Sequence, residues 1–148
     1  MKIKKKIVVP TGEIYTAMGE KGLLEFLTVG DYGKNANIKA DFLGITRDLN
    51  GVPNGEPMPL TEKWVITIST QYGCSMGCKF CDVTKVGIGR NATFNDLKEE
   101  ALTAIKQHPE VKHTKRLNIH YARMGEPTWN ANVLLHAICI KKDIEPFI

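Results

Sequence analysis

Cys74, Cys78 and Cys81 stand within eight residues of one another, in the run Cys-Ser-Met-Gly-Cys-Lys-Phe-Cys, and nothing else in the sequence constrains the fold so tightly. Three side chains that can each become a thiolate, spaced C-x3-C-x2-C, wrap one face of an inorganic centre only if the backbone turns around it. Gly73, Gly77, Gly87 and Gly89 permit such a turn. Just before the run, Trp64 to Thr70 carries β-branched side chains at most positions, which predicts a strand buried on at least one face. The pattern is a strand that delivers a metal-binding loop at its C-terminal end.

A 4Fe-4S cluster usually takes four cysteine ligands, so three leave one iron open to a ligand that is not protein. S-adenosylmethionine suits that vacancy through its amino and carboxylate groups. Its sulfonium then lies beside a one-electron donor, and homolysis gives a 5'-deoxyadenosyl radical. The competing reading is a structural zinc site, with Asp82 or one of His108, His113, His120 and His136 as fourth ligand. Zinc sites more often join one two-ligand knuckle to another, and the sequence has neither a second C-x2-C nor an H-x3-H. Cys139 reads as a core thiol on a later helix. Phe80 reads equally as a shield for a cluster and as loop packing.

After the loop, Thr93 is placed to cap a helix with Asp96 reaching back, and Phe94, Leu97, Ala101, Ala104 and Ile105 share one helical face up to Pro109. A second strand is predicted from about Arg116 to Ala122. A second helix follows from about Asn130, with Val133, Leu134, Ala137 and Ile138 as its apolar face, ending before Pro146. Strand, helix, strand, helix predicts parallel pairing and an α/β fold that opens a sheet or barrel.

The first sixty residues differ. Short apolar runs such as Ile7 to Val9, Ile14 to Ala17 and Leu23 to Val29 make them β-rich, and Gly51, Pro53, Gly55, Pro57 and Pro59 make residues 50–60 a linker. The expected division is a small β-rich N-terminal region, 1–60, and a second unit, 61–148. The net charge of +4 is spread thinly apart from Lys2, Lys4, Lys5 and Lys6, which read as a solvated basic tail or as an arm that grips phosphates. No stretch approaches the apolar length of a membrane span, and Pro10 ends the Ile7 to Val9 run too early for a secretory signal. The cysteines are therefore expected to meet a reducing compartment, the cytoplasm.

At the end of the second predicted strand stand Met124, Gly125, Glu126 and Pro127. In βα barrels the strand C-termini form the active-site face, so Glu126 is expected on the same rim as the cysteine loop. There it could accept hydrogen bonds from the ammonium of a cluster-bound methionine moiety, or be an ordinary loop acid. Gln71, Gly73, Cys74, Cys78, Phe80 and Cys81, then Gly87, Arg90, Asn91 and Thr93, then Met124, Gly125, Glu126, Pro127 and Asn130, recur in the order of a known family. Over about Thr61 to Ile148 the chain resembles the radical S-adenosylmethionine enzymes that methylate C2 of adenine in ribosomal and transfer RNA.

The resemblance implies that Cys74, Cys78 and Cys81 ligate the cluster and that Gly125 and Glu126 bind the methionine end of S-adenosylmethionine. It implies the opening βα units of a partial radical S-adenosylmethionine (β/α) barrel, a one-electron reductant of flavodoxin or ferredoxin type, and an RNA substrate. It assigns no catalytic residue here. The family's cysteine seven residues before the first ligand is Thr67 in this sequence, and its downstream cysteine has no counterpart up to Ile148. A truncated or split domain is therefore expected, acting with a missing C-terminal portion or partner chain. A radical reaction on a substrate other than RNA, without methyl transfer, and a non-catalytic metal-binding module are the alternatives.

Overall fold

The computed structural model describes residues 1–9, 12–30, 59–72, 90–125 and 127–148. Three N-terminal strands, β1 (Lys2–Val9), β2 (Gly12–Met18) and β3 (Leu23–Gly30), form an antiparallel meander. β4 (Trp64–Thr67) adds antiparallel to β3, and β7 (Leu117–His120) adds parallel to β4, which gives one mixed sheet in the order β1-β2-β3-β4-β7. Two short strands, β5 (Gln71–Tyr72) and β6 (Arg90–Asn91), pair separately. The helix α1 (Phe94–Lys106) connects β6 to β7, and α2 (Asn132–Ile144) follows a single 3-10 turn at Pro127–Trp129.

β4 is the hinge of this architecture because its side chains are buried on both faces. Trp64 and Ile66 enter the main core with Tyr15, Ala17, Leu24, Phe26, Leu97, Ala104 and Ile105, while Val65 joins Leu27 in a smaller cluster on the other face. A strand buried on both faces favours apolar side chains, which Trp64, Val65 and Ile66 provide. Two parallel strands alone bury too little to be stable. The N-terminal meander extends the sheet and contributes Tyr15, Ala17, Leu24 and Phe26 to the core.

α1 starts where the sequence predicts. Thr93 Oγ1 accepts from the Asp96 N–H at 3.1 Å and Asp96 Oδ2 accepts from the Thr93 N–H at 3.0 Å, a reciprocal capping box. Its buried stripe contains Leu97, Ala101, Ala104 and Ile105 as expected, and also Asp96 and Glu100.

Two expectations are corrected. Lys2, Lys4, Lys5 and Lys6 are no tail: they lie exposed in β1, an edge strand whose pairing with β2 shifts register between Ile3 and Lys5. Of the predicted apolar face of α2 only Val133 packs against the core; Leu134, Ala137 and Ile138 are turned outward, with Leu134 74% and Ile138 79% exposed. The inward stripe is Val133, His136, Ile140 and Ile144, with His136 fully buried. His136 Nδ1 lies 2.8 Å from Tyr121 Oη, and its ring meets those of Phe94 and Tyr121 edge-on. That polar anchor fixes the rotation of the helix, which hydrophobic periodicity by itself does not reveal.

Candidate functional site

The chain leaves β4 at Thr67 and folds against the segment that leaves β7. Ile68 N–H donates to His120 O at 2.9 Å and Arg123 N–H to Ile68 O at 3.2 Å. Next, the N–H groups of Thr70 and Gln71 both converge on the carbonyl of Met124, at 2.8 and 3.3 Å. Ser69 Oγ accepts from the Met124 N–H at 3.2 Å and donates to the Glu25 carbonyl. These bonds end the strand four residues into its β-branched run. Gly125 follows with φ of +94°, and a Cβ there would lie 2.5 Å from Gln71 Cβ and 2.7 Å from its backbone nitrogen. Only glycine allows both the backbone angle and the approach.

β5 and β6 close the next loop at its base. Gln71 pairs with Asn91 and Tyr72 with Arg90, and Gln71 Nε2 donates to Asn91 Oδ1 at 2.9 Å. The Arg90 guanidinium lies 5.6 Å from the centre of the Tyr72 ring and donates to the Lys21 carbonyl at 3.2 Å. Asn130, at the end of the 3-10 turn, donates from Nδ2 to the carbonyls of Thr70 and Ala92 at 2.8 and 2.9 Å.

Two carboxyls one turn apart on α1 support the same segment from below. Asp96 Oδ2 accepts from Tyr72 Oη at 2.6 Å, and its Oδ1 accepts from the Glu20 N–H at 3.0 Å. Burial, and then the hydrogen bond to Asp96, push the Tyr72 phenol up. Glu100 Oε1 accepts from the Ser69 N–H at 3.0 Å, while its buried Oε2 has no protein partner. Burial raises the Glu100 carboxyl well above the usual carboxylate range, against the opposing pull of the Ser69 N–H. Beside Asn130, a hollow of about 580 Å³ is lined by Pro127, Thr128, Ala131, Val133 and Leu134, within the size range of small-molecule sites.

Cys74, Cys78, Cys81 and Glu126 lie outside the described residues, as do Gly73, Gly77, Phe80, Asp82, Gly87 and Gly89. What flanks them is described: the cysteines follow Gln71 by three, seven and ten residues in sequence, and Glu126 follows Gly125. Of the motif residues, Gln71, Arg90, Asn91, Thr93, Met124, Gly125 and Asn130 are drawn together. Thr67 sits buried at the last position of β4. Cys139 is half-buried on α2. His108 is placed near the N-terminal end of β4, edge-on to Trp64 and 3.2 Å from Glu13. Among the described residues no three His, Cys, Asp or Glu side chains gather to hold a metal ion. Sequence reasoning missed Ser69 and Glu100; the signal for Glu100 was a carboxyl in register with Leu97, Ala101 and Ala104 on an inward helical face.

No family model matches the chain. Curated relatives do: 81 residues are 40% identical to a dual-specificity RNA methyltransferase RlmN of Sulfurimonas denitrificans, covering 55% of this chain and 22% of that protein. The RlmN of Helicobacter hepaticus is 38% identical over 85 residues, 57% of this chain and 23% of its own length. The crystal structure of a radical SAM methyltransferase from Sphaerobacter thermophilus superposes with a TM-score of 0.62 at 17% identity, over 93% of this chain and 32% of that one, and so shares the mixed α/β fold. Among the described residues no helix is long and apolar enough to cross a membrane. The chain spans less than a quarter of the length of these curated relatives, and over slightly more than half of its own residues it is similar to the RlmN dual-specificity RNA methyltransferases, the direction in which its motifs pointed.

Proposed function

We propose that the chain binds a 4Fe-4S cluster through Cys74, Cys78 and Cys81, with S-adenosylmethionine beside it, as part of a radical enzyme related to the RNA adenine C2 methyltransferases. The observation that carries this reading is the meeting of Gln71 with Gly125. It joins the base of the cysteine loop to the start of the Gly-Glu-Pro turn, at the C-terminal ends of two adjacent parallel strands, where α/β proteins place their ligands.

The donor set suits the group, since three thiolates leave one iron free for a ligand other than protein. When bound, the cluster supplies the electron for reductive cleavage of S-adenosylmethionine. Gly125, without a side chain, lets the backbone come close, and Glu126 accepts hydrogen bonds from the cofactor's ammonium. The hollow beside Asn130 is roomy enough for part of a small molecule. On this reading β4, α1, β7 and α2 are the opening βα units of a partial barrel, residues 61–148 form the radical unit, and residues 1–60 add the β-rich region to its edge. The lysines of β1 present a row of charge suited to RNA phosphates. A flavodoxin or ferredoxin would supply the electron, and the cytoplasm would keep the thiols reduced.

The test is anaerobic reconstitution of the chain with iron and sulfide, followed by dithionite and S-adenosylmethionine. About four irons per chain and release of 5'-deoxyadenosine are expected. Tight zinc without iron would overturn the proposal in favour of a structural metal module.

A further inference from the structure

We infer that Asn130 is a positioning residue that locks both ends of the cysteine loop to the turn carrying Gly125 and Glu126. The inference rests on the cluster reading for its purpose, but its geometry stands apart from it. Asn130 is 2% exposed and every polar atom of its side chain is used. One Nδ2 hydrogen goes to Thr70 O, the residue before β5, and the other to Ala92 O, the residue after β6, while Oδ1 accepts from the Asn132 N–H at 3.0 Å. The amide thus bridges the two chain ends that frame residues 73–89. The Ala92 N–H completes the frame by donating to Thr70 O at 3.0 Å, and Asn132 Nδ2 adds a second bond to Ala92 O at 3.2 Å.

The same frame reaches the other motif. The Thr70 and Gln71 N–H groups end on Met124 O, one residue before Gly125, and the Asn130 N–H ends on Pro127 O at 3.1 Å. Displacement of the Gly125 turn therefore pulls on the loop ends through two routes, the Met124 carbonyl on one side and Pro127 with Asn130 on the other. The chemistry selects asparagine. A serine has one donor for two carbonyls, an ionised aspartate has none and would face both carbonyls with negative charge, and glutamine carries its amide one carbon too far. At 2% exposure Asn130 leaves little room for water to replace a lost donor.

The test compares the full chain with Asn130→Asp, Asn130→Ser and a control, Ile105→Val, which trims the core at the far end of α1. In iron-free protein, amide hydrogen exchange at Gln71 and Ala92 should be at least tenfold faster in Asn130→Asp than in the control, with Ile14 and Tyr15 in β2 unchanged between them. In reconstituted protein the reduced cluster of Asn130→Asp should give a paramagnetic resonance signal that S-adenosylmethionine no longer shifts, whereas Ile105→Val should respond as the parent does. Asn130→Ser, keeping one donor, should lie between in both readouts, and it decides the matter if Asn130→Asp does not fold. Exchange at Gln71 and Ala92 equal to the control overturns the clamp whatever metal is bound. A parent chain that takes up no iron, together with accelerated exchange in the variant, would instead sink the cluster reading and leave the clamp standing.

Discussion

Gly125 and Gln71 pack so closely that a Cβ on Gly125 would overlap the Cβ of Gln71 at 2.5 Å, with the Gly125 backbone held at φ of +94°. Gly125→Ala therefore meets a steric and a conformational penalty together. Relief requires the Met124 carbonyl to release the Thr70 and Gln71 N–H groups. A loss of about 1 to 3 kcal/mol in urea denaturation is expected, the usual range for a residue forced into such a backbone region. An unchanged midpoint would contradict it.

Cys74→Ala, Cys78→Ala and Cys81→Ala should each prevent a stable 4Fe-4S cluster on anaerobic reconstitution, because no further described residues gather to replace a missing thiolate. Cys139→Ala should retain it, since among the described residues Cys139, on α2, belongs to no group of metal-ligating side chains. Iron and sulfide assays with the visible absorption band separate the two classes. A normal cluster in any of the first three variants removes that cysteine from the ligand set.

Glu126→Ala should keep the cluster and weaken S-adenosylmethionine binding about tenfold to hundredfold, the effect of a charge-assisted hydrogen bond worth about 1.5 to 3 kcal/mol. Titration of the reduced cluster's paramagnetic resonance signal with S-adenosylmethionine measures this. Equal affinity would make Glu126 a loop acid.

The β1 lysines lead to a salt test. If Lys4 and Lys5 neutralise RNA phosphates, the double change Lys4→Ala and Lys5→Ala should weaken binding of a single-stranded RNA. It should also flatten the plot of log affinity against log salt by about 0.7 for each phosphate no longer neutralised. The edge strand itself should survive, because both side chains are exposed. An identical slope means that the lysines serve the sheet edge alone.

His136 sets an acid limit. Burial lowers its pKa to about 4, with Asp143 pulling weakly the other way. The unfolded chain takes up a proton as pH falls through about 6.5, and the folded chain resists until about 4. Stability is thus complete above the unfolded value and drains away between them, by about 1 kcal/mol at pH 5.5. Urea denaturation at pH 7.5 and 5.5 should show this loss in the parent and a smaller one in His136→Phe. Equal losses would assign the effect to other groups.

The sequence was legible where a local pattern and a tertiary need coincide. The run Trp64 to Thr67 and the Thr93–Asp96 box carry their own signals, and both elements formed where expected. The strand expected to reach Thr70 stops at Thr67, because the Ser69 N–H turns to the Glu100 carboxyl and the Thr70 N–H to the Met124 carbonyl, 54 residues beyond it. The rotation of α2 was illegible for a related reason. Leu134 and Ile138 outrank His136 in hydrophobicity, yet Tyr121 and Phe94 offer an imidazole a better seat. For the site, the motifs named Gly125 and Asn130, but not what they touch, since close approach and shared carbonyls are relations between distant segments.

The two-residue ladder of β5 and β6 has a thermodynamic consequence for metal uptake. Tyr72 and Arg90 are held side by side, with 17 residues between them that include all three cysteines. The length-dependent entropy of closing such a loop, (3/2)RT ln n, is about 2.5 kcal/mol. Folding of the sheet and α1 meets this cost before any iron arrives. The thiols consequently meet incoming metal on a loop whose ends are already fixed, so ordering it around a cluster costs less conformational entropy than ordering a free peptide of the same sequence.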